Sequence, residues 1–221
     1  MKTKYLLIAP LLSCLFACAN AATVSYSFDT LFSNDPVAPD APGPWLQMTT
    51  TDTIANEVTL TFTALNLTDP EHVTDWYINV DPSLDLNLLT FTVNSVTGTF
   101  ANPSIAKLQN GHIADSAGLY DVHFSFSTSG SNGGSNRFTD NDSLTYTVAY
   151  SGAGTFNSSS FSFLGAPNDQ LAYGPYITGA RILSTGANDL GGAWVAPIPE
   201  PSVTLYSVLA LGFAAGLRRR R

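Results

Sequence analysis

The chain has 221 residues and a formal net charge of −8, and only 12% of its residues are charged. Between residues 22 and 199 just Lys107, Arg137 and Arg181 stand against sixteen carboxylates, a local net charge of −13. A body so acidic repels phosphate backbones, which argues against nucleic acid as a partner, and the length of the chain suits one domain plus processing segments.

Residues 1–21 read as a secretory signal. Lys2 and Lys4 supply the positive start, Tyr5 to Ala17 the apolar stretch, and Ala19-Asn20-Ala21 a small-residue cleavage site before Ala22. A rival reading takes Leu15-Phe16-Ala17-Cys18 as a lipobox with Cys18 acylated; bulky Phe16 fits that poorly. Both cysteines, Cys14 and Cys18, fall in this segment, so the mature body has no disulfide framework and no thiolate metal site.

Apolar and polar residues alternate through the body with a period of two, the mark of strands with one buried face. Val24, Tyr26 and Phe28 form the first such run; Val58, Leu60 and Phe62 the next, set between Thr59, Thr61 and Thr63. Leu89 to Val93, Tyr120 to Phe126, Leu144 to Tyr150, and Phe161 with Phe163 follow. Shorter candidates are Trp45 to Thr50, Asp75 to Val80, Tyr176 to Leu183 and Gly192 to Val195. Turn chemistry separates the runs: Asn34-Asp35-Pro36, Asp69-Pro70, Asp81-Pro82, Asn102-Pro103 and the Gly/Ser/Asn loop from Ser129 to Asn136. Pro103 to Asn110 is expected to hold a short turn. Nine to eleven strands without amphipathic helices predict an all-β, antiparallel, jelly-roll-like β-sandwich spanning 22–196, with a barrel as the alternative.

The tail from 197 to 221 has an ordered composition. Ile198-Pro199-Glu200-Pro201-Ser202 precedes an apolar run from Val203 to Leu217, and Arg218, Arg219, Arg220 and Arg221 follow. The prolines favour extended backbone open to a protease. The apolar run is somewhat short for a bilayer, and snorkelling arginines make up part of the deficit. The arginines should stay cytoplasmic and stop transfer, leaving a C-terminal transmembrane helix and the body outside.

This tail resembles the PEP-CTERM sorting signal of Gram-negative bacteria, with Pro199-Glu200-Pro201 as the signature tripeptide. The resemblance implies that signal peptidase and then a membrane-embedded exosortase act on the chain, from an inner-membrane-anchored precursor to release or attachment at the cell surface. It also implies an association with exopolysaccharide, biofilm or floc formation. Glu71 to Pro82 is similar to a segment of PEP-CTERM bodies. Such bodies vary widely, so the tail transfers no activity to the domain.

Catalytic chemistry is sparse. His72, His112 and His123 lack zinc spacing. Oxygen-rich Asp140-Asn141-Asp142 and Asp81 to Asp85 could hold Ca²⁺ through Asp81, Asp85, Asp140 and Asp142, though turn roles for such residues are the commoner reading. A secreted hydrolase acting on extracellular glycans would need two opposed carboxylates, for which Glu57, Asp75 and Asp121 are the strand-borne candidates. No G-x-S-x-G elbow occurs, and His123 alternates with core residues. Trp45, Trp76, Tyr77 and Trp194, with Tyr173 or Tyr176, could offer flat faces to sugar rings; the competing role for each is core filling. The expectation is a non-enzymatic, exported surface or matrix component, structural or carbohydrate-binding.

Overall fold

The computed structural model describes residues 21–32, 37–115, 117–130, 136–167 and 173–198. Among these, ten strands form one antiparallel sheet: β1 (Thr23–Leu31), β2 (Leu46–Asp52), β3 (Glu57–Ala64), β4 (His72–Ile78), β5 (Leu89–Thr97), β6 (Ser104–Ile113), β7 (Leu119–Ser125), β8 (Ser143–Tyr150), β9 (Thr178–Thr185) and β10 (Gly191–Pro197). Their order is β5-β8-β3-β2-β1-β10-β9-β4-β7-β6.

Strands β2, β3 and β8 carry unbroken alternation, so each buries one face and exposes the other. The sheet curls until its halves face each other across these apolar rows. Phe62 of β3 lies 4.4 Å from Trp76 of β4 and 4.9 Å from Phe124 of β7, ring centre to ring centre, although four strands separate β3 from β4 along the sheet. Phe91 of β5 meets Phe124 at 5.6 Å. One core therefore fills the curl.

The sequence predicted two packed layers; the described residues instead form one continuous antiparallel sheet curled as a half-barrel. The reason is the β1–β10 pairing, which welds the first and last strands of the body into the middle of the sheet. Register irregularities at Phe28/Thr30 and Gly191/Gly192 lie in this middle region, where an unpaired residue lets a sheet bend. Among the described residues β5 and β6 do not pair with each other, so the curl is not a closed barrel.

Two local expectations differ from the structure. Ser104–Ile113 is the edge strand β6 rather than a turn; four residues bulge out between Lys107 and His112, which hides its alternation. Ser158–Phe161 is a 3₁₀ turn rather than a strand, closed by a capping box between Asn157 and Ser160. Among the described residues helix is confined to this turn and Leu86–Leu88, and no helix is long and apolar enough to cross a membrane. The expected signal and transmembrane helices fall outside the described residues, as does most of the Gly/Ser/Asn loop.

Candidate functional site

A second, smaller apolar cluster sits on the outer face of the β10-β9-β4-β7 half. It joins Phe32, Tyr77, Ala114, Ala117, Tyr120 and Ala196, with Tyr173, Tyr176 and Trp194 partly covering it. Strand register sets charged groups beside it. Trp194 of β10 pairs with Arg181 of β9, which pairs in turn with Asp75 of β4. The Arg181 guanidinium lies 5.7 Å from the centre of the Trp194 ring, within cation–π range. Asp75 accepts a 2.8 Å hydrogen bond from Nε2 of His123 and another of 2.8 Å from the Thr74 hydroxyl. The His123 ring stacks on Tyr77 at 4.4 Å and 3°, and His112 lies 5.6 Å away.

Burial pushes the Asp75 carboxyl up, yet the bonds from His123 and Thr74 and the charges of His123 and Arg181 outweigh it, holding the group below the usual carboxylate range. Burial lowers His112, and the neighbouring His123 adds to this. Burial also raises Tyr77 and Tyr120 well above an ordinary phenol. The hydroxyl of Tyr120 and Nε2 of His112 are buried without a hydrogen-bond partner among the described residues. The outer face thus joins a part-exposed indole, an exposed guanidinium and an ionised carboxylate along one line. That combination can stack on an apolar ring face while bonding hydroxyls.

The nominated aromatics separate sharply. Trp76 is fully buried in the core, its indole N–H donating to the Thr178 hydroxyl at 3.1 Å. Trp45 is buried too and donates to the Ala41 carbonyl at 2.6 Å. Tyr77 is 7% exposed. Trp194, Tyr173 and Tyr176 remain at the surface in part. The platform is therefore Trp194 with its neighbours, while Trp45 and Trp76 are structural.

Of the four aspartates nominated for calcium, three cap their own turns and Asp140 ties two loops together. Asp81 accepts from the Ser83 amide at 2.8 Å, and Asp85 from the Asn87 amide at 2.9 Å. Asp140 accepts from the Leu67 amide at 3.1 Å, and buried Asp142 from the Thr139 amide at 2.7 Å. Asp142 also packs against Gly98, whose φ of +100° and lack of a Cβ leave room for the carboxylate. Among the described residues no three His, Asp or Glu side chains converge as a metal site.

The hydrolytic candidates do not converge either. Glu57 alternates with core residue Val58 on the outer face of one half, and Asp75 with Trp76 on the outer face of the other. The core lies between them. Asp121 is buried and accepts from the amides of Val80 at 3.0 Å and Asn110 at 2.8 Å. His72 is buried and donates from Nδ1 to the Pro70 carbonyl at 3.1 Å, outside the His123 cluster. Clefts of about 340 Å³, lined by Thr68, Asp69, Glu71, Arg137 and Asp140, and about 440 Å³, lined by Asp85, Leu86, Lys107 and Gln109, lie away from the aromatic row.

Sequence reasoning missed a second surface. On the outer face of the β1-β2-β3-β8-β5 half, pairing aligns hydroxyl side chains in three rows. Thr23, Thr51, Thr59, Thr147 and Thr92 form one; Ser25, Thr49, Thr61, Thr145 and Ser95 the next; Ser27, Gln47, Thr63, Ser143 and Thr97 the third. Only Gln47 breaks the run of hydroxyls, and no charge enters it. Neighbours bond along the rows, as Thr23 to Thr51 at 3.1 Å and Thr61 to Thr145 at 3.1 Å. The threonines alternating in single strands were the available signal; their alignment needs the register.

The sorting residues Pro199, Glu200, Pro201, Arg218, Arg219, Arg220 and Arg221, and Ala19 of the cleavage site, lie outside the described residues. Ala21 is exposed just before β1. Comparison with protein-family models, with curated proteins and with solved structures finds no match in any of the three.

Proposed function

We propose that this chain is an exported surface or matrix protein that binds carbohydrate on the outer face of its β10-β9-β4-β7 half. Signal peptidase and an exosortase would process it from an inner-membrane-anchored precursor, with residues 1–21 as signal helix and 203–217 as transmembrane helix. Between them the curled sheet acts as a jelly-roll-like sandwich body that displays the site to extracellular polysaccharide.

The observation that carries the binding role is the line of Trp194, Arg181 and Asp75 on one exposed face. An indole offers an apolar plane to the C–H face of a sugar, and the flanking ions bond its hydroxyls. The hydroxyl rows of the other half add an uncharged contact surface for a neutral polymer. The hydrolase alternative is weakened because Glu57 and Asp75 face opposite sides of the molecule.

The test is retention of the protein by the exopolysaccharide of its own host, beside an assay for reducing ends. Trp194→Ala should weaken retention at least tenfold while leaving the protein folded. Trp76→Ala should instead cost about 3–5 kcal/mol of stability, since it empties the core. Retention unchanged in Trp194→Ala would remove the site, and release of sugar ends would favour the hydrolase.

A further inference from the structure

We infer that two copies of this chain associate along β5, antiparallel about a two-fold axis. An unpaired edge strand offers a row of backbone donors and acceptors to another chain, and proteins usually blunt it with lysine, proline, bulges or a covering segment. The two edges of this sheet differ in that respect.

Strand β6 is blunted. It carries Lys107, four of its residues bulge out of the ladder, and Asn110 within the bulge has a φ of +50°. Strand β5 has a single-residue bulge at Asn94, against the four-residue bulge of β6; it pairs with β8 on one side, and among the described residues nothing pairs with its other side. No charged residue occurs from Leu86 to Ala106, in a body whose acidity otherwise opposes self-association. Lys107 reaches the Leu89 carbonyl at 2.8 Å, so only the start of this edge is guarded.

The side chains of β5 point to the same partner. Phe91, Val93 and Val96 lie opposite Val148, Tyr146 and Leu144, on the apolar inner face. Yet Val93 is 40% exposed and Val96 43%, so the core runs out at this rim. A second β5 brings an identical apolar rim and an identical uncharged edge. Pairing like with like closes a two-fold dimer and does not propagate into a filament. It also carries the hydroxyl rows across the junction, because Thr92, Ser95 and Thr97 are their last members.

Sedimentation of the full chain in density-matched detergent tests this. The native chain should be a dimer at about 10 µM, the concentration range of a micromolar Kd. Val93→Lys with Val96→Lys should weaken association at least tenfold. Ile54→Lys, which places one lysine on an exposed turn outside β5, should leave it unchanged. A monomeric native chain, or a dimer indifferent to the β5 lysines, overturns the proposal. Should the lysine variants fail to fold, hydrogen exchange of the native chain decides. Amides 90–97 must exchange more slowly as concentration rises, and concentration-independent exchange rejects the pairing.

Discussion

Two adjacent residues, Trp76 and Tyr77, show how much one pleat position decides. Successive side chains of a strand point to opposite faces, so Trp76 fills the core against Phe28 and Phe62 while Tyr77 turns outward beneath His123. Titration follows the same geometry. His72 and His112 are both held below the ordinary imidazole value, chiefly by burial. The unfolded chain therefore takes up protons at higher pH than the folded one. Their contribution is present above roughly pH 6.5, the unfolded imidazole value, and is lost as pH falls through the folded values. Melting temperature should drop on acidification from pH 7 towards 5, and His112→Gln should flatten part of that slope. An equal slope in the variant would place the dependence elsewhere. Asp75, lowered in its turn, keeps its contribution until pH falls below the usual carboxylate range.

At the level of elements, the irregular places are secured by carboxylates. Glu71 accepts from the amides of Asp40 and Thr68, both at 2.8 Å, pinning two loops to each other. Asp121 joins the bulge of β6 to the segment after β4 through the Asn110 and Val80 amides. Removing its oxygens orphans the buried Val80 amide, at a cost of about 1–3 kcal/mol, and frees the part-buried Asn110 amide as well. Asp121→Ala should accordingly lower unfolding stability by about 3 kcal/mol, whereas Asp81→Ala, which frees one exposed turn amide, should shift it far less. Equal denaturation midpoints for the two variants would contradict this. These bulges and turns are also where the sequence misled. Phe161 and Phe163 alternate like a strand, but the Asn157 cap wraps the backbone into a 3₁₀ turn that buries Phe161 and leaves Phe163 36% exposed.

For the molecule as a whole, the body and the tail make separate claims. The body has a main core built chiefly by strands other than β6, which adds only the half-buried Ile105, and the proposed address lies beyond it. Replacing Pro199, Glu200 and Pro201 together with alanine should leave a cell-bound chain of precursor mass, readable by fractionation and intact-mass measurement. Unchanged secretion and mass would deprive the sorting proposal of its basis. The antiparallel, all-β class and every described strand but β6 were legible because alternation is written residue by residue in runs such as Val58 to Thr63. The candidate site was legible only as residue types: Trp194 was nominated beside Trp45 and Trp76 with nothing to rank them.

What the sequence determined by itself was the local face of each strand, the acidic and cysteine-free character of the body, and the order of charge and hydropathy at both ends. Tertiary structure alone decided which faces meet. Joining β1 to β10 closes a loop of nearly the whole body, and the entropy of such closure rises too slowly with length for sequence distance to forbid it. The β10–β9–β4 registers bring Trp194 beside Arg181 and Asp75, the β1-β2-β3-β8-β5 registers align the threonines in rows, the curl sets Glu57 and Asp75 on opposite sides, and the strand order puts β5 at the edge. Periodicity is a property of neighbours along the chain, whereas register is a property of strands that meet only after the chain has folded.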